Sequence, residues 1–383
     1  MAKKIKLCLF IHSLAGGGAE RFIIHLTNNL NREIFDIYLI LLKAEGEYLH
    51  LLPADIKIVD LRIKSFRLSQ VPHPGWLLKI AQAFRNINPD VIFSTMTTTN
   101  LMAIVARQLA FLKVPLIIQE AGILGDHLKF DWLGALKKAI YKVLVRHADL
   151  VVVPAQAMAD DLEKLFAIKS DRLKVIPNPV DFHHIDESLK NGVLAENVAA
   201  QKKLKIIVSM GRLEKIKGVD IGIKAFAELQ RRIPAYYWVL GQGGEEESLK
   251  KMAADLGISQ RVNFLGFQDN PYIFLKNADC FLLSSRSEGH PYTLMEAMYC
   301  EVPCVVSRYS SSVADLIKDG EAGIVVESGN TAQMAEAMEQ ILKDGQIRSK
   351  FIKNAKITVE KYGTGQVLPE YEKLFLSCTG KVG

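Results

Sequence analysis

Ser284-Ser-Arg-Ser-Glu-Gly-His-Pro-Tyr-Thr-Leu-Met-Glu-Ala-Met298 follows a short apolar run that ends at Leu283. The length of that run and its aromatic and aliphatic content fit a buried parallel strand better than a helix. The polar loop then enters a helix that should start near Pro291, which is pre-set for a first turn, with Thr293 placed to satisfy free amides. A strand, a glycine-bearing loop and a helix N-terminus make an anion cradle, because unpaired N–H groups and the positive dipole end converge there. Two carboxylates frame it, Glu288 before the helix and Glu296 on it. They would repel an anion unless they serve another part of the ligand. A phosphate joined to something rich in hydroxyls, such as a nucleotide sugar, meets that condition. Taken singly, the two glutamates are better read as a solvated loop residue and a surface helix residue, and the case for a ligand comes from the other motifs.

A chain of 383 residues exceeds the usual single-domain size, and 49% apolar with 23% charged residues is ample for packed cores. Cys8, Cys280, Cys300, Cys304 and Cys378 are scattered and form no CxxC pair, which argues against a disulfide framework or zinc site and for a reducing compartment. The N-terminus imitates a signal peptide, but His12 interrupts its apolar run and glycines lead into an amphipathic segment, so it is read as a first strand. The uncharged run Val91 to Ala106 holds four Thr, a Ser and an Asn and is no membrane span. Residues 1–178 carry 23 Lys and Arg against 16 Asp and Glu, whereas the remainder carries 25 against 26. The basic surplus of the first half suits an anionic surface or polyanionic substrate. No nucleic-acid-binding signature occurs, so no nucleic-acid partner is expected.

Strands alternate with helices through both halves, which predicts two doubly wound parallel sheets, Rossmann-like, in tandem and facing across a cleft. The expected domains are 1–178, 179–361 and a closing segment 362–383, with 181–203 read as a polar hinge region. Gly16-Gly17-Gly18 follows the first strand at the edge where such sheets bind ligands. It is no dinucleotide fingerprint, since Arg21 stands where a third glycine is needed. A tight turn and a close approach to a sugar or phosphate are both open readings. Gly211-Arg-Leu-Glu-Lys-Ile-Lys-Gly218 follows the first strand of the second half, where Arg212 and Lys217 can reach a diphosphate.

Between Asp126 and His147 a helix would carry Leu133, Leu136, Ile140, Leu144 and Val145 on one face and Lys137, Lys138, Lys142 and Arg146 on another. A basic amphipathic helix with Trp132 near its end suits a membrane surface; the alternative packs the apolar face on the sheet and leaves the lysines solvated. Arg62, Lys64 and Arg67 could likewise meet lipid phosphates or lie in a loop.

Six motifs in order, Gly16-Gly-Gly-Ala-Glu-Arg21, Ile176-Pro-Asn-Pro-Val180, Gly211-Arg-x5-Gly218, Gly241-x-Gly243, Phe264-Leu-Gly266 and Glu288-x7-Glu296, make the chain resemble the GT-B fold, family 4 retaining glycosyltransferases. The resemblance spans essentially the whole chain. It implies that the first domain binds the acceptor and the second the nucleotide sugar, and that the closing helix crosses back to the first domain. Arg212 and Lys217 would neutralise the donor diphosphate, with Thr293 and Leu294 bonding the same phosphates. Glu288 would hold donor-sugar hydroxyls beside Gly289 and His290, Glu296 the ribose hydroxyls, Phe267 and Gly241 would lie near the base, and Gly16 to Gly18 would approach the donor. No Asp-x-Asp occurs, so transfer without metal or other cofactor is expected, with retention. Relatives often place His or Arg where this chain has Glu120-Ala-Gly122, so His127 and Glu120 join Glu288 as catalytic candidates. Bacterial members of similar character build lipid-linked oligosaccharides, lipopolysaccharide or capsule, which implies a UDP-sugar donor, a lipid-linked glycan acceptor and a peripheral place on the cytoplasmic membrane face. A nucleotide-sugar 2-epimerase of the same fold, a transferase with a soluble acceptor and a noncatalytic binding protein are the alternatives.

Overall fold

Continuous apolar strands can be buried on both faces only if helices cover both sides of the sheet. The computed structural model, which describes residues 3–63, 73–123, 134–310 and 312–380, shows that arrangement twice. The chain divides into two compact units, Met1–Pro179 with Thr364–Gly383, and Val180–Gly363.

The first unit runs β1 (Ile5–Ile11), α1 (Gly18–Asn29), β2 (Phe35–Leu41), β3 (Lys57–Asp60), α2 (Pro74–Ile87), β4 (Val91–Thr95), α3 (Thr97–Leu109), β5 (Leu116–Gln119), α4 (Gly134–Leu144), β6 (Leu150–Val153), α5 (Gln156–Phe166) and β7 (Leu173–Val175). Its strands are parallel, in the order β3-β2-β1-β4-β5-β6-β7. One face of the sheet shares a core with α2, α3 and α5 through Phe84, Met102 and Phe166. On the other, the C-terminal helix Thr364–Cys378 sets Tyr371 against Phe22 at 5.1 Å and Phe375 against Phe93 at 5.5 Å between ring centroids.

The second unit repeats the plan with β8 (Lys205–Met210), α6 (Val219–Gln230), β9 (Ala235–Leu240), α7 (Glu246–Asp255), β10 (Val262–Gly266), α8 (Tyr272–Lys276), β11 (Cys280–Leu283), α9 (Tyr292–Tyr299), β12 (Cys304–Ser307) and β13 (Ile324–Val326). The parallel order is β10-β9-β8-β11-β12-β13. In each sheet the order reverses beside the first strand, between β1 and β4 and between β8 and β11. Loops leave the carboxyl ends there in opposite directions and open a crevice for ligand.

The polar stretch after Val180 opens with a helix over Phe182–Asn191, capped by Asp181, which accepts from the His184 N–H at 3.0 Å. The apolar face expected on α4 is buried only at its C-terminal end: Leu144 and, just after the helix, Val145 pack into the core with Tyr141, while Leu136 and Ile140 are 56% and 42% exposed, with Val143 at 61%. Among the described residues no helix is long and apolar enough to cross a membrane.

Candidate active site

In the second unit the loops leaving β8, β9 and β11 are pressed together by glycines. Gly218 turns at φ +62°, and a Cβ there would lie 2.0 Å from the Ser284 carbonyl oxygen. Gly241, at φ +120°, has the same relation to the Gly211 carbonyl, also at 2.0 Å. Only glycine allows both the conformation and the approach. Ser284 Oγ completes the first contact by donating to the Gly218 carbonyl at 2.8 Å. A bidentate pair tightens it, with Arg286 Nη1 and Nη2 each 2.7 Å from an Asp220 carboxylate oxygen and the Arg286 N–H donating to the Ile216 carbonyl. Arg286 and Asp220 were missed in the sequence, where nothing shows that residues 66 apart face each other.

This clamp holds Lys217 beside Glu288. Lys217 Nζ donates to both carboxylate oxygens, at 2.8 and 2.9 Å, and Ser285 Oγ donates to one of them at 2.8 Å. The side chains are 25% and 10% exposed, so the pair lies at the mouth of the crevice and is partly withdrawn from water. Ser209, Met210, Gly211, Lys217, Ser284 and Ser285 line a small cavity at the ends of β8 and β11. Arg212 pairs with Glu214 at 3.1 Å, both 44% exposed, a contact weak enough for a ligand to displace.

Pro291 is the N-cap of α9, with extended backbone at φ −72° and ψ 115°, rather than its first helical residue, and no side chain caps the helix. The expected cap by Thr293 is therefore absent, and the first amides of α9 are left for other acceptors. Leu294 is buried, and so is Glu296, at 1% exposed, with Tyr272 Oη donating to it at 3.3 Å. The Gly289 carbonyl accepts from Ser312 Oγ at 3.3 Å. Burial, and to a lesser degree Lys361, pushes the His290 imidazole down to about 3, so it is neutral; its ring sits edge-on to Tyr362 at 4.9 Å. Phe267 follows Gly266, whose carbonyl accepts from the Gly241 N–H at 2.7 Å. The donor-binding candidates of this unit thus gather at the carboxyl edge of its sheet.

The first unit is different. Gly16 turns at φ +85° and Gly17 caps α1 in extended conformation, with Gly18 the first helical residue. A Cβ at Gly17 would fall 2.4 Å from a Glu20 carboxylate oxygen, and Glu20 is only 7% exposed. The first turn of α1 thus carries its own carboxylate beside Gly17, the charge a helix N-terminus favours.

Glu120, at the carboxyl end of β5, is 1% exposed and accepts from Thr97 Oγ1 at 2.6 Å, Asn100 Nδ2 at 2.8 Å and Tyr141 Oη at 3.1 Å. Burial raises its carboxyl pKa above the usual value despite these donors. Through these bonds Glu120 ties α3 and α4 to the carboxyl end of β5. Arg62 is exposed, its N–H bonded to Asp60. Lys138, Lys142 and Arg146 are exposed on and just after α4. His127, Lys64 and Arg67 lie outside the described residues, as does the side chain of Lys137.

Residues 16–184 match the model of glycosyltransferase family 4, and residues 194–358 that of glycosyl transferases group 1. The chain belongs to this family of glycosyltransferases and has its GT-B fold of two doubly wound sheets. Among relatives, an N-acetylgalactosamine-N,N'-diacetylbacillosaminyl-diphospho-undecaprenol 4-alpha-N-acetylgalactosaminyltransferase of Campylobacter jejuni is 27% identical over 97% of this chain and 99% of its own length. The lipopolysaccharide core biosynthesis glycosyltransferase LpsE of Rhizobium meliloti is 27% identical over 94% and 96%. Anabaena HepE, solved in complex with UDP-glucose, is similar in fold at a TM-score of 0.80 and 19% identity, over 97% of this chain and all of the other.

Proposed function

We propose that the protein moves a hexosyl or N-acetylhexosaminyl group from a UDP-linked donor to a hydroxyl of a lipid-linked glycan, with retention and without metal, in the assembly of cell-surface polysaccharide or oligosaccharide. The observation that carries this reading is the Lys217–Glu288 pair beside the uncapped start of α9, at the crevice between β8 and β11. Breaking the bond between a sugar and a diphosphate develops negative charge on the leaving oxygen and positive charge on the sugar. Lys217, Arg212 and the amides around Thr293 and Leu294 stabilise the first, held in place before the reaction begins. Glu288 takes donor-sugar hydroxyls, and Glu296 the ribose hydroxyls. The acceptor hydroxyl attacks from the leaving-group side, with Glu120 and His127 the candidates to stand in for the His or Arg that relatives often carry at the Ala121 position. UDP is favoured by the HepE complexes, and a diphosphate-polyprenyl acceptor by the Campylobacter relative.

The test is nucleotide release from UDP-, GDP- and ADP-sugars in EDTA, with and without bacterial lipid extract. Release that requires a UDP-sugar and lipid is expected. Isomerised sugar without transfer would establish the epimerase instead, and loss of release in EDTA would overturn metal independence.

A membrane-bound acceptor needs a way to the membrane, and α4 supplies one at the cytoplasmic face. Leu136, Ile140 and Val143 recur at helical spacing on its exposed side, next to Lys138, Lys142 and Arg146. Full burial of such an apolar side chain contributes about 1.5–3 kcal/mol, so Ile140→Ser with Val143→Ser should weaken binding to phosphatidylglycerol vesicles by about tenfold or more. Co-sedimentation measures this, and unchanged partition would remove α4 from the membrane contact.

A further inference from the structure

The pairing of Lys217 with Glu288 bears on what happens once the sugar has left. The site must hold a nucleotide sugar, which presents hydroxyls to Glu288 and a diphosphate to Lys217. It must then release a nucleoside diphosphate, which presents no hydroxyls there and carries an additional ionisable oxygen on its terminal phosphate. That oxygen is the one that held the anomeric carbon, left on the phosphate with the electron pair of the broken bond, so its negative charge faces the vacated sugar position and the Glu288 carboxylate assigned to it.

We propose that Glu288 discriminates the sugar-loaded nucleotide from the bare nucleoside diphosphate by competing with the diphosphate for Lys217. The inference rests on the donor-site reading given above and assigns Glu288 a second task, product ejection. Three features of the geometry support it. Lys217 Nζ reaches both oxygens of the carboxylate, at 2.8 and 2.9 Å, so two of its three N–H donors are turned toward Glu288 and away from a diphosphate. Ser285 Oγ donates at 2.8 Å to Glu288 Oε1, the oxygen that Lys217 also reaches at 2.8 Å, which keeps the carboxylate in place to reclaim the lysine. The pair is only 25% and 10% exposed, so water screens the competition incompletely. While the sugar is present its hydroxyls supply the donors that Glu288 gives up, and Lys217 is free to serve the diphosphate. When the sugar is gone, the carboxylate lacks those donors and is opposed by the terminal phosphate. Restoring the pair with Lys217 then relieves both problems at once.

Isothermal titration with UDP, and with the UDP-sugar that supports turnover, tests this on wild type and Glu288→Gln. The Gln variant keeps the shape but removes the competing charge, so UDP should bind about tenfold more tightly, equal to about 1.4 kcal/mol, and inhibit turnover more strongly as product. The UDP-sugar should not tighten with it, since its hydroxyls lose a charged acceptor. A side chain needed only for the fold would weaken both ligands together. Equal or weaker UDP binding in Glu288→Gln, with wild type binding UDP normally, would overturn the product-ejection role and leave the donor site standing. Absence of UDP, GDP and ADP binding to wild type would sink the donor-site reading and this inference with it. If Glu288→Gln does not fold, Glu288→Ala is read by the same criterion. A second measurement uses the unaltered protein: the free sugar of the donor should tighten UDP binding, because occupying Glu288 with hydroxyls releases Lys217 and the coupling is reciprocal. No effect of the sugar at saturation would count against the proposal.

Discussion

Lys217→Ala is expected to lower kcat/KM by about 10²–10³, or about 2.7–4 kcal/mol of transition-state stabilisation, the scale of removing one preorganised donor from a developing anion. The charge that Lys217 meets grows from the bound donor to the transition state as the diphosphate leaves, so the loss should fall on kcat and less on KM. Lys217→Arg restores charge but not the compact ammonium that fits between Glu288 and the loop, and should recover part of the rate. The removal also leaves Glu288 at 10% exposure without its cation. Circular dichroism and thermal melts therefore accompany the kinetics, to separate a misplaced loop from a lost leaving-group contact. Normal turnover in Lys217→Ala would exclude the role assigned to it.

Much of this site was legible before any coordinates. The loop Gly211–Gly218 and its cations Arg212 and Lys217 could be placed directly after a strand, but the close backbone approaches that require glycine at 218 and 241 are seen only in the Cβ distances. Apolar runs too continuous for one-sided sheets announced parallel strands buried on both faces. What the chain order hid were contacts between loops. Lys217 and Glu288 were each assigned to a ligand, and nothing in their spacing shows that they bond each other. The same holds for Arg286 with Asp220, and for Glu20, whose carboxylate lies against Gly17. In α4 the periodicity marked an apolar stripe but not which way it points. That choice is made by Tyr141, whose hydroxyl reaches a buried acid more than twenty residues earlier and whose ring packs on Phe166 at 4.8 Å, turning Leu136 and Ile140 outward.

That buried acid carries the second large expectation. Glu120→Ala would leave Thr97, Asn100 and Tyr141 without their shared acceptor, at a cost of about 1–3 kcal/mol for each buried unsatisfied donor. A loss of about 3 kcal/mol or more should lower the melting temperature of a unit this size by roughly 6 °C or more. Glu120→Gln behaves differently. Its oxygen can accept from Asn100 and Tyr141, and its amide can donate to Thr97, whose hydroxyl can turn to accept. The pH dependence separates charge from shape. Burial raises the Glu120 pKa above its ordinary value of 4.5, so the folded protein holds the proton more tightly than the unfolded chain. This stabilising contribution is complete below 4.5 and is lost as pH rises through the folded value. The Gln variant has no such proton to lose. Its melting temperature relative to wild type should therefore improve from pH 4 to pH 8, by roughly 1.4 kcal/mol per unit of the shift, while Glu120→Ala stays below wild type throughout. Parallel melting curves for wild type and Glu120→Gln would mean that the carboxylate is ionised without penalty, and that the three donors rather than burial set its state.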